Sequence, residues 1–454
     1  MLSTAKEMED TAAGKGTRME SDLPKVLHHL AGAPMLLHVM KSSATLEPEQ
    51  LVIIAGHGAD AVGAVARDYS ETAQVVLQSE QLGTGHAVSQ AKSALADCTG
   101  DVIVLYGDTP FVRPETLQAL LAARKTADIV VLGFQAANAG RYGRLVMQGS
   151  AVSRIVEYKD ASEQERAITF CNSGVICAKA DVLFSLLEAV GNDNASKEYY
   201  LTDIVQLAND RNFSVAAVHC DEAETMGINS RAELAQAEAS FQSRTRMEMM
   251  ALGVSLTAPE TVYFAYDTVL GRDSQVEPNV VFGPGVTVEN GARIRAFSHL
   301  EGCHISSGAV VGPYARLRPG TELAENVRIG NFVEIKNARI EDGAKVNHLS
   351  YIGDANIGEA SNIGAGTITC NYDGVGKHHT EIGASVFIGS NTMLVAPVTV
   401  GDAAMTASGS VITKNVEPGA LAIARSEQSN KPGLAVKLFA MLRRKKVKQQ
   451  EGIS

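Results

Sequence analysis

Residues 276–300 run VEPNVVFGPGVTVENGARIRAFSHL, with a large apolar side chain at every sixth position: Val276, Phe282, Val288, Ile294 and Leu300. The series continues at Ile305, Val311, Leu317, Leu323, Ile329 and Ile335. After one-residue phase slips it resumes at Ile340, Val346 and Ile352, at Ile357 and Ile363, and at Ile382, Ile388, Leu394 and Val400. A period of six matches neither a helix, at about 3.6, nor a half-buried strand, at about 2. It matches short strands turning the corners of a prism, with one side chain pointing inward per face. Glycine follows the aliphatic residue at Gly353, Gly358, Gly364, Gly383 and Gly389, where a side chain would crowd a bend. A parallel β-helix is therefore expected over this half. A β-helix can be a spacer or an enzyme, so the fold alone assigns no activity.

The chain has 454 residues, and the pattern changes abruptly near residue 250, which argues for two domains. A formal charge of −11 disfavours a dedicated nucleic-acid binder, which needs a basic field against phosphates. Six cysteines are scattered without CxxC spacing and read as free thiols. No stretch is long and apolar enough to span a bilayer, and MLSTAKEMED lacks the basic-then-apolar order of a signal peptide. A cytoplasmic protein with small-molecule substrates, and neither nucleic acid nor membrane as partner, is expected.

The first half alternates apolar runs (51–56, 73–78, 101–108, 128–135) with helical patterns (34–45, 84–95, 114–125), which predicts a mostly parallel sheet with helices on both faces. Ligands of such sheets gather at the carboxyl ends of the strands. Residues 229–252 are rich in Ala, Glu, Arg and Met and predict a linker helix between a first domain, 1–228, and a second, 253–454. The loop Ala12-Ala13-Gly14-Lys15-Gly16-Thr17-Arg18, followed by Pro24-Lys25, combines glycines that let backbone N–H groups approach phosphate with the cations a triphosphate needs. Gln78 and Gly83-Thr84-Gly85-His86 end one strand and open a helix. Tyr106-Gly107-Asp108 sets a carboxylate at the end of the next, a reasonable magnesium ligand or a helix cap.

These segments resemble the nucleotidyltransferases that make nucleoside-diphosphate sugars, whose signature is a G-x-G-T-R loop closed by Pro-Lys. Further motifs follow in the same order: Tyr142-Gly143-Arg144, Val156-Glu157-Tyr158-Lys159-Asp160, Asn172-Ser173-Gly174, Glu198-Tyr199-Tyr200-Leu201-Thr202-Asp203 and Gly227-Ile228-Asn229. Joined to hexapeptide repeats, the chain is similar to the bacterial bifunctional glucosamine-1-phosphate N-acetyltransferase and N-acetylglucosamine-1-phosphate uridylyltransferase family, from about Ala12 to Arg425. The resemblance implies a Rossmann-like α/β nucleotidyltransferase domain plus a left-handed parallel β-helix. It implies that Ala12, Ala13, Gly14 and Lys25 cradle UTP, that Gln78, Gly83 and Thr84 read uracil, and that Tyr106 and Gly107 adjoin the nucleotide. Asp108 and Asn229 would hold Mg2+, and Gly143, Glu157 and Asn172 would bind the N-acetylglucosamine portion. One departure stands out. The family's first strand is apolar, whereas residues 5–11 are AKEMEDT, and Lys6, Glu7, Glu9 and Asp10 resist burial. This segment is expected to lie outside the sheet and to impair uridylyl transfer; a nucleotidyl domain kept only as a structural partner, or a β-helix kept only as scaffold, are the alternatives.

The β-helix half has its own polar cluster: Arg316-Leu317-Arg318, Asn331 through Lys336, Asn347-His348-Leu349-Ser350-Tyr351 and Asn362. Residues about one coil apart, roughly 18, stack about 4.8 Å apart, so Arg318 meets Lys336, and Tyr351 meets Glu334 or Lys336. Two cations suit a sugar phosphate, and His348 can take a proton from an amine. The resemblance makes His348 the catalytic base, gives Arg318, Lys336, Tyr351 and Asn362 to the sugar phosphate, and has Glu334 orient the site. Between Gly364 and Ile382 the hexads are interrupted, as for a projecting binding loop. By resemblance Ala365, Asn371, Tyr372, Ser390, Ser408 and Arg425 line an acetyl-CoA site, and the loop reaches a neighbouring subunit of a homotrimer. Arg443 to Lys448 carries five cations in six residues and reads as a solvated, disordered tail.

Overall fold

The computed structural model of the chain describes residues 2–3 and 17–451. Ala12, Ala13, Gly14 and the charged segment 5–11 lie outside the described residues. The chain divides into two units. One comprises Met1–Leu252 with Val262–Thr268 and Phe282–Gly285, and the other Gly253–Thr261, Val269–Val281 and Val286–Ser454.

The first unit is built on a sheet of nine strands: β1 (Leu2–Ser3), β2 (Val52–Ala55), β3 (Gln74–Leu77), β4 (Asp101–Tyr106), β5 (Ile129–Gln135), β6 (Arg144–Gln148), β7 (Ala151–Val156), β8 (Phe170–Lys179) and β9 (Val215–Cys220). Their order is β9-β5-β8-β4-β1-β2-β3, with β6 and β7 attached beside β8. β1 pairs in parallel with both β2 and β4, Leu2 against Ile53 and Leu105. The place of the family's first strand, which the resemblance puts just before Ala12, is held by Leu2–Ser3. Those two are uncharged, whereas burying Lys6, Glu7, Glu9 or Asp10 unpaired would cost several kcal/mol, on the order of the penalty for any isolated buried ion. β8 runs antiparallel to β4, β5 and β6. Helices α1 (Met35–Ala44), α2 (Ala59–Tyr69), α3 (Thr84–Ser89) and α4 (Pro114–Arg124) follow the strands. α3 ends earlier than its apolar pattern suggests, because beyond it the backbone tightens into i to i+3 turns such as Ala91 N to Val88 O, 3.1 Å. Separate apolar clusters cover the two faces. One gathers Val52, Val104, Val131, Ile176 and Leu183, and the other Leu36, Ile53, Leu105, Val130 and Leu132.

A longer helix, α5 (Arg231–Ala251), is opened by a capping box in which Ser230 Oγ accepts from Glu233 N at 3.2 Å and Glu233 Oε2 accepts from Ser230 N at 3.1 Å. Its Ala237 and Phe241 are buried with Met19, Leu30, Met35, Phe111 and Ile228. The expected linker helix is therefore packed into the first unit along its N-terminal half.

Every hexad residue from Val276 to Val400 is at most 3 % exposed. Register along one wall steps from Gln275 to Arg293, Val310, Arg328, Lys345 and Asn362 in 17 or 18 residues, and then 25 residues to Phe387. The longer step is the interruption seen in the sequence. The extra residues leave the coil after Cys370 and return at Thr380, and Tyr372 bridges Lys377 across the loop. Coils approach so closely at the bends that a Cβ on Gly330 would stand 1.9 Å from Asn347 O. Non-glycine residues also take left-handed corners, among them Phe332 (φ 56°), Asn337 (45°), Leu349 (50°) and Asp354 (47°). The basic tail is not disordered: Leu434–Glu451 forms helix α6. The run has neither Gly nor Pro and is dominated by good helix formers, a local preference that outweighs repulsion between its cations.

Candidate active sites

In the first unit Lys25 begins a short 3-10 turn after Pro24, and Asp108 follows the end of β4. Lys25 Nζ donates to Asp108 Oδ2 at 2.9 Å and to Asn229 Oδ1 at 3.0 Å, with Lys25 and Asp108 7 % and 2 % exposed. Asn229 is held by local sequence. Its N–H donates to Glu233 Oε2 of the capping box at 2.6 Å, and Ile228 N donates to Asp108 O at 3.0 Å. Three residues named from separate motifs thus form one cluster, buried at Lys25 and Asp108 and half-buried at Asn229. Asp108 Oδ1 has no hydrogen-bond partner among the described residues. A buried, unsatisfied carboxylate oxygen beside an amide oxygen is a hard donor set that suits magnesium. No cluster of three or more His, Cys, Asp or Glu side chains able to hold a metal occurs among the described residues. Two protein ligands accord with a cation that takes the rest of its shell from phosphate and water.

The base-reading candidates lie at the start of α3. Gly83 has φ +116°, and a Cβ there would meet Tyr199 O at 2.6 Å. Tyr199 N donates to Leu82 O, Gly85 N to Tyr199 O and Leu201 N to Thr84 Oγ1. These bonds tie the Gln78-to-His86 motif to the Glu198-to-Asp203 motif. Gln78 is buried, its side-chain nitrogen 3.2 Å from His86 Nδ1. Gly143, Glu157 and Asn172 also converge. Asn172 N donates to Gly143 O at 2.8 Å, and a Cβ on Gly143 would lie 3.4 Å from both Glu157 carboxylate oxygens. Glu157 Oε1 accepts from Thr202 Oγ1 at 3.1 Å. Arg144, fully buried, fixes the adjoining loop by donating to Ala139 O, Gly140 O and Tyr142 O. Tyr106 packs on Gly174, and burial pushes its phenol well up, so it stays neutral. Burial, then Glu157 and Asp160, raise Asp203 to about 6.

In the second unit Glu334 pairs with Tyr351 and Lys336 with Gly353, which resolves the open choice of partner for Tyr351 in favour of Glu334. Glu334 Oε1 accepts from Arg318 Nη1 at 2.9 Å. His348 is oriented by another residue. Asn331 lies directly under it in register, and His348 Nδ1 is 3.1 Å from Asn331 Oδ1. An amide oxygen can only accept, so this contact favours the tautomer with the proton on Nδ1, which leaves Nε2 its lone pair for a base's work. Beyond His348 the wall continues in line. Gly366 N donates to His348 O, Asn391 N to Ala365 O and Gly409 N to Ser390 O. Asn362 pairs with Lys345 and Phe387, three positions before Ala365 and Ser390, so His348, Ala365, Ser390 and Ser408 share one edge. Arg425 follows beyond the last coil and is exposed, as is Tyr372 in the loop.

Sequence reading missed Lys377. Its ammonium, more than any other group, pulls Lys336 below the usual lysine range, with Arg318 adding to the effect. Like charges this close want an anion between them. Lys377 sits in the interruption, where no hexad spacing points to it. Asn331 was visible in the polar cluster, but only register shows that it faces His348.

Residues 11–195 match the MobA-like NTP transferase domain, and residues 267–302, 302–337 and 379–414 match the bacterial transferase hexapeptide (six repeats) family. The chain is 67% identical over 441 residues to the bifunctional protein GlmU of a Ruegeria species, covering 97% of this chain and 98% of the relative. It is 69% identical over 440 residues to that of Ruegeria pomeroyi, with 97% and 98% covered, and 62% identical over 432 residues to that of a Jannaschia species, with 95% of each covered.

Proposed function

The chain belongs to the bifunctional GlmU family, and from that membership we propose a division of labour in which each unit carries one reaction. The protein is an acetyltransferase and a uridylyltransferase: it acetylates glucosamine 1-phosphate from acetyl-CoA, then transfers UMP from UTP to the product. Residues 1–228 are assigned the second reaction, 229–252 the connection, and 253–454 the first reaction. The observation that carries this reading is that residues drawn from two motif sets form two separate clusters, one around Lys25 and Asp108 and one around His348.

In acetyl transfer, Arg318, Lys336 and Lys377 neutralise the sugar phosphate, while Tyr351 and Asn362 flank it. His348 Nε2 takes the proton from the amine as its nitrogen attacks the thioester carbonyl; the C–S bond then breaks and CoA leaves as thiolate. Asn331 holds the proton on Nδ1 throughout, which keeps Nε2 available. In uridylyl transfer the sugar phosphate oxygen attacks the α-phosphorus of UTP and pyrophosphate departs, with no protein nucleophile required. Asp108 and Asn229 would hold magnesium, which supplies positive charge to the phosphate oxygens. Lys25 sets a second cation beside them, Gln78, Gly83 and Thr84 receive the uracil, and Glu157 with Asn172 receives the sugar hydroxyls. The product would serve peptidoglycan and lipopolysaccharide synthesis in the cytoplasm; no helix among the described residues is long and apolar enough to cross a membrane.

A three-fold homo-oligomer is also proposed. Phe297, Tyr314 and Phe332 stack at successive corners, ring centroids 4.9 and 5.2 Å apart, and each is about half exposed. This apolar ladder supports a second copy of the chain as its cover and leads up to Leu349, beside His348. Separate assays of acetyl transfer and pyrophosphate release test the division: His348→Ala should strongly lower the first only, and Asp108→Asn the second only. Parallel loss of both by either folded variant would overturn it.

A further inference from the structure

Asp354 belongs to none of the residue sets above, yet its surroundings are unusually specific. It occupies a left-handed corner (φ 47°) and is 8 % exposed. One carboxylate oxygen accepts from Asn337 Nδ2 of the preceding coil at 2.6 Å, and the other accepts from Asn371 Nδ2 of the following coil. Burial alone would raise its pKa. The two amides, with the ammonium groups of Lys377 and Lys336, outweigh burial and hold it below the usual carboxylate range. A Cβ on the preceding Gly353 would stand 2.5 Å from Tyr351 Oη and 2.9 Å from Asn371 Nδ2, so the corner is filled from both sides.

We propose that Asp354 is a positioning residue that fixes Asn371 for acetyl-CoA, acting through that amide without touching either substrate. A carboxylate offers only acceptors. Its grip on Asn371 Nδ2 therefore decides which way the amide faces and leaves Asn371 Oδ1 as the acceptor, suited to an amide N–H of a pantetheine arm. The inference rests on the proposed placement of Asn371 in the acetyl-CoA site. Asn337 steadies the carboxylate from the other side, so the three side chains form a ladder across three coils.

Asp354→Asn keeps the shape but faces Asn371 with an amide that can donate as well as accept, which frees its orientation. The expected result is a rise in KM for acetyl-CoA of about tenfold, the worth of one charge-assisted hydrogen bond, with kcat and uridylyl transfer little changed. Asn371→Ala should raise the same KM, and Asp354→Asn added to it should raise it no further, since the two act as one unit. If Asn371→Ala leaves the KM for acetyl-CoA unchanged, the placement of Asn371 fails and the inference with it. If Asn371→Ala raises it while Asp354→Asn is neutral or additive, only the positioning role fails. Should Asp354→Asn melt early, Asn337→Ala carries the test in milder form: a rise in KM for acetyl-CoA that disappears in the Asn371→Ala background supports the role, and one that persists overturns it.

Discussion

The ammonium of Lys25 lies 2.9 Å from the carboxylate of Asp108, and both side chains are more than nine-tenths buried. Breaking such a pair from one side strands a charge without solvent, at a cost of about 3–5 kcal/mol. Lys25→Met should therefore lower the melting point of the first unit and cut uridylyl transfer by about 100-fold or more, the scale of losing one preorganised electrostatic group. Acetyl transfer measured on the same preparation should keep the parent rate.

Removing the base at the other site has the opposite selectivity. His348→Ala should lower acetyl transfer by about 10²–10⁴. Asn331→Leu should lower it less, because it leaves the base but not the partner that selects its tautomer. Pyrophosphate release is the control in both.

Lys377 supplies a third cation against Lys336 and Arg318. Lys377→Ala should raise KM for glucosamine 1-phosphate about tenfold, consistent with one lost charged contact, and weaken the salt dependence of that KM. An unchanged KM would remove Lys377 from the site.

Asp203 makes stability depend on pH with a definite sign. Its folded pKa of about 6 lies above the unfolded value near 3.9. The protonated form is thus favoured in the folded state, and stabilisation is complete below about pH 4 and lost as pH rises through about 6. Asp203→Asn should stabilise the first unit at pH 7.5 by ~1–2 kcal/mol, discounted for partial exposure. The gain over the parent should vanish near pH 4 in urea melts.

Much of this was legible in the chain because the signals were periodic or dense. The hexads fixed every inward residue from Val276 to Val400, since a side chain buried between stacked coils admits little but aliphatics. Pro24-Lys25, Asp108 and Asn229 were legible as motifs, but their meeting was not, because the contact joins residues 83 and 204 positions apart. Charge argued residues 5–11 out of the central strand, but Leu2–Ser3, which holds that position, is too short a run to carry a strand pattern and was not read as its occupant. Helix α6 was missed because its clustered cations were weighed above its helix-forming composition. Asn331 and Asp354 were hidden for a third reason: coils there run to either 17 or 18 residues without a fixed order, and only the resolved register says which polar side chains stack.

The edge that carries His348, Ala365, Ser390 and Ser408 ascends coil by coil toward the end of the solenoid. In a stack where each rung leans only on its neighbours, the terminal rungs fray first. Mild heat or denaturant should therefore strip the donor's half of the groove while the acceptor's cations remain in place. The enzyme would lose its grip on the acyl carrier before it lost the sugar, and a saturating thioester ligand would act as a clamp on the open end.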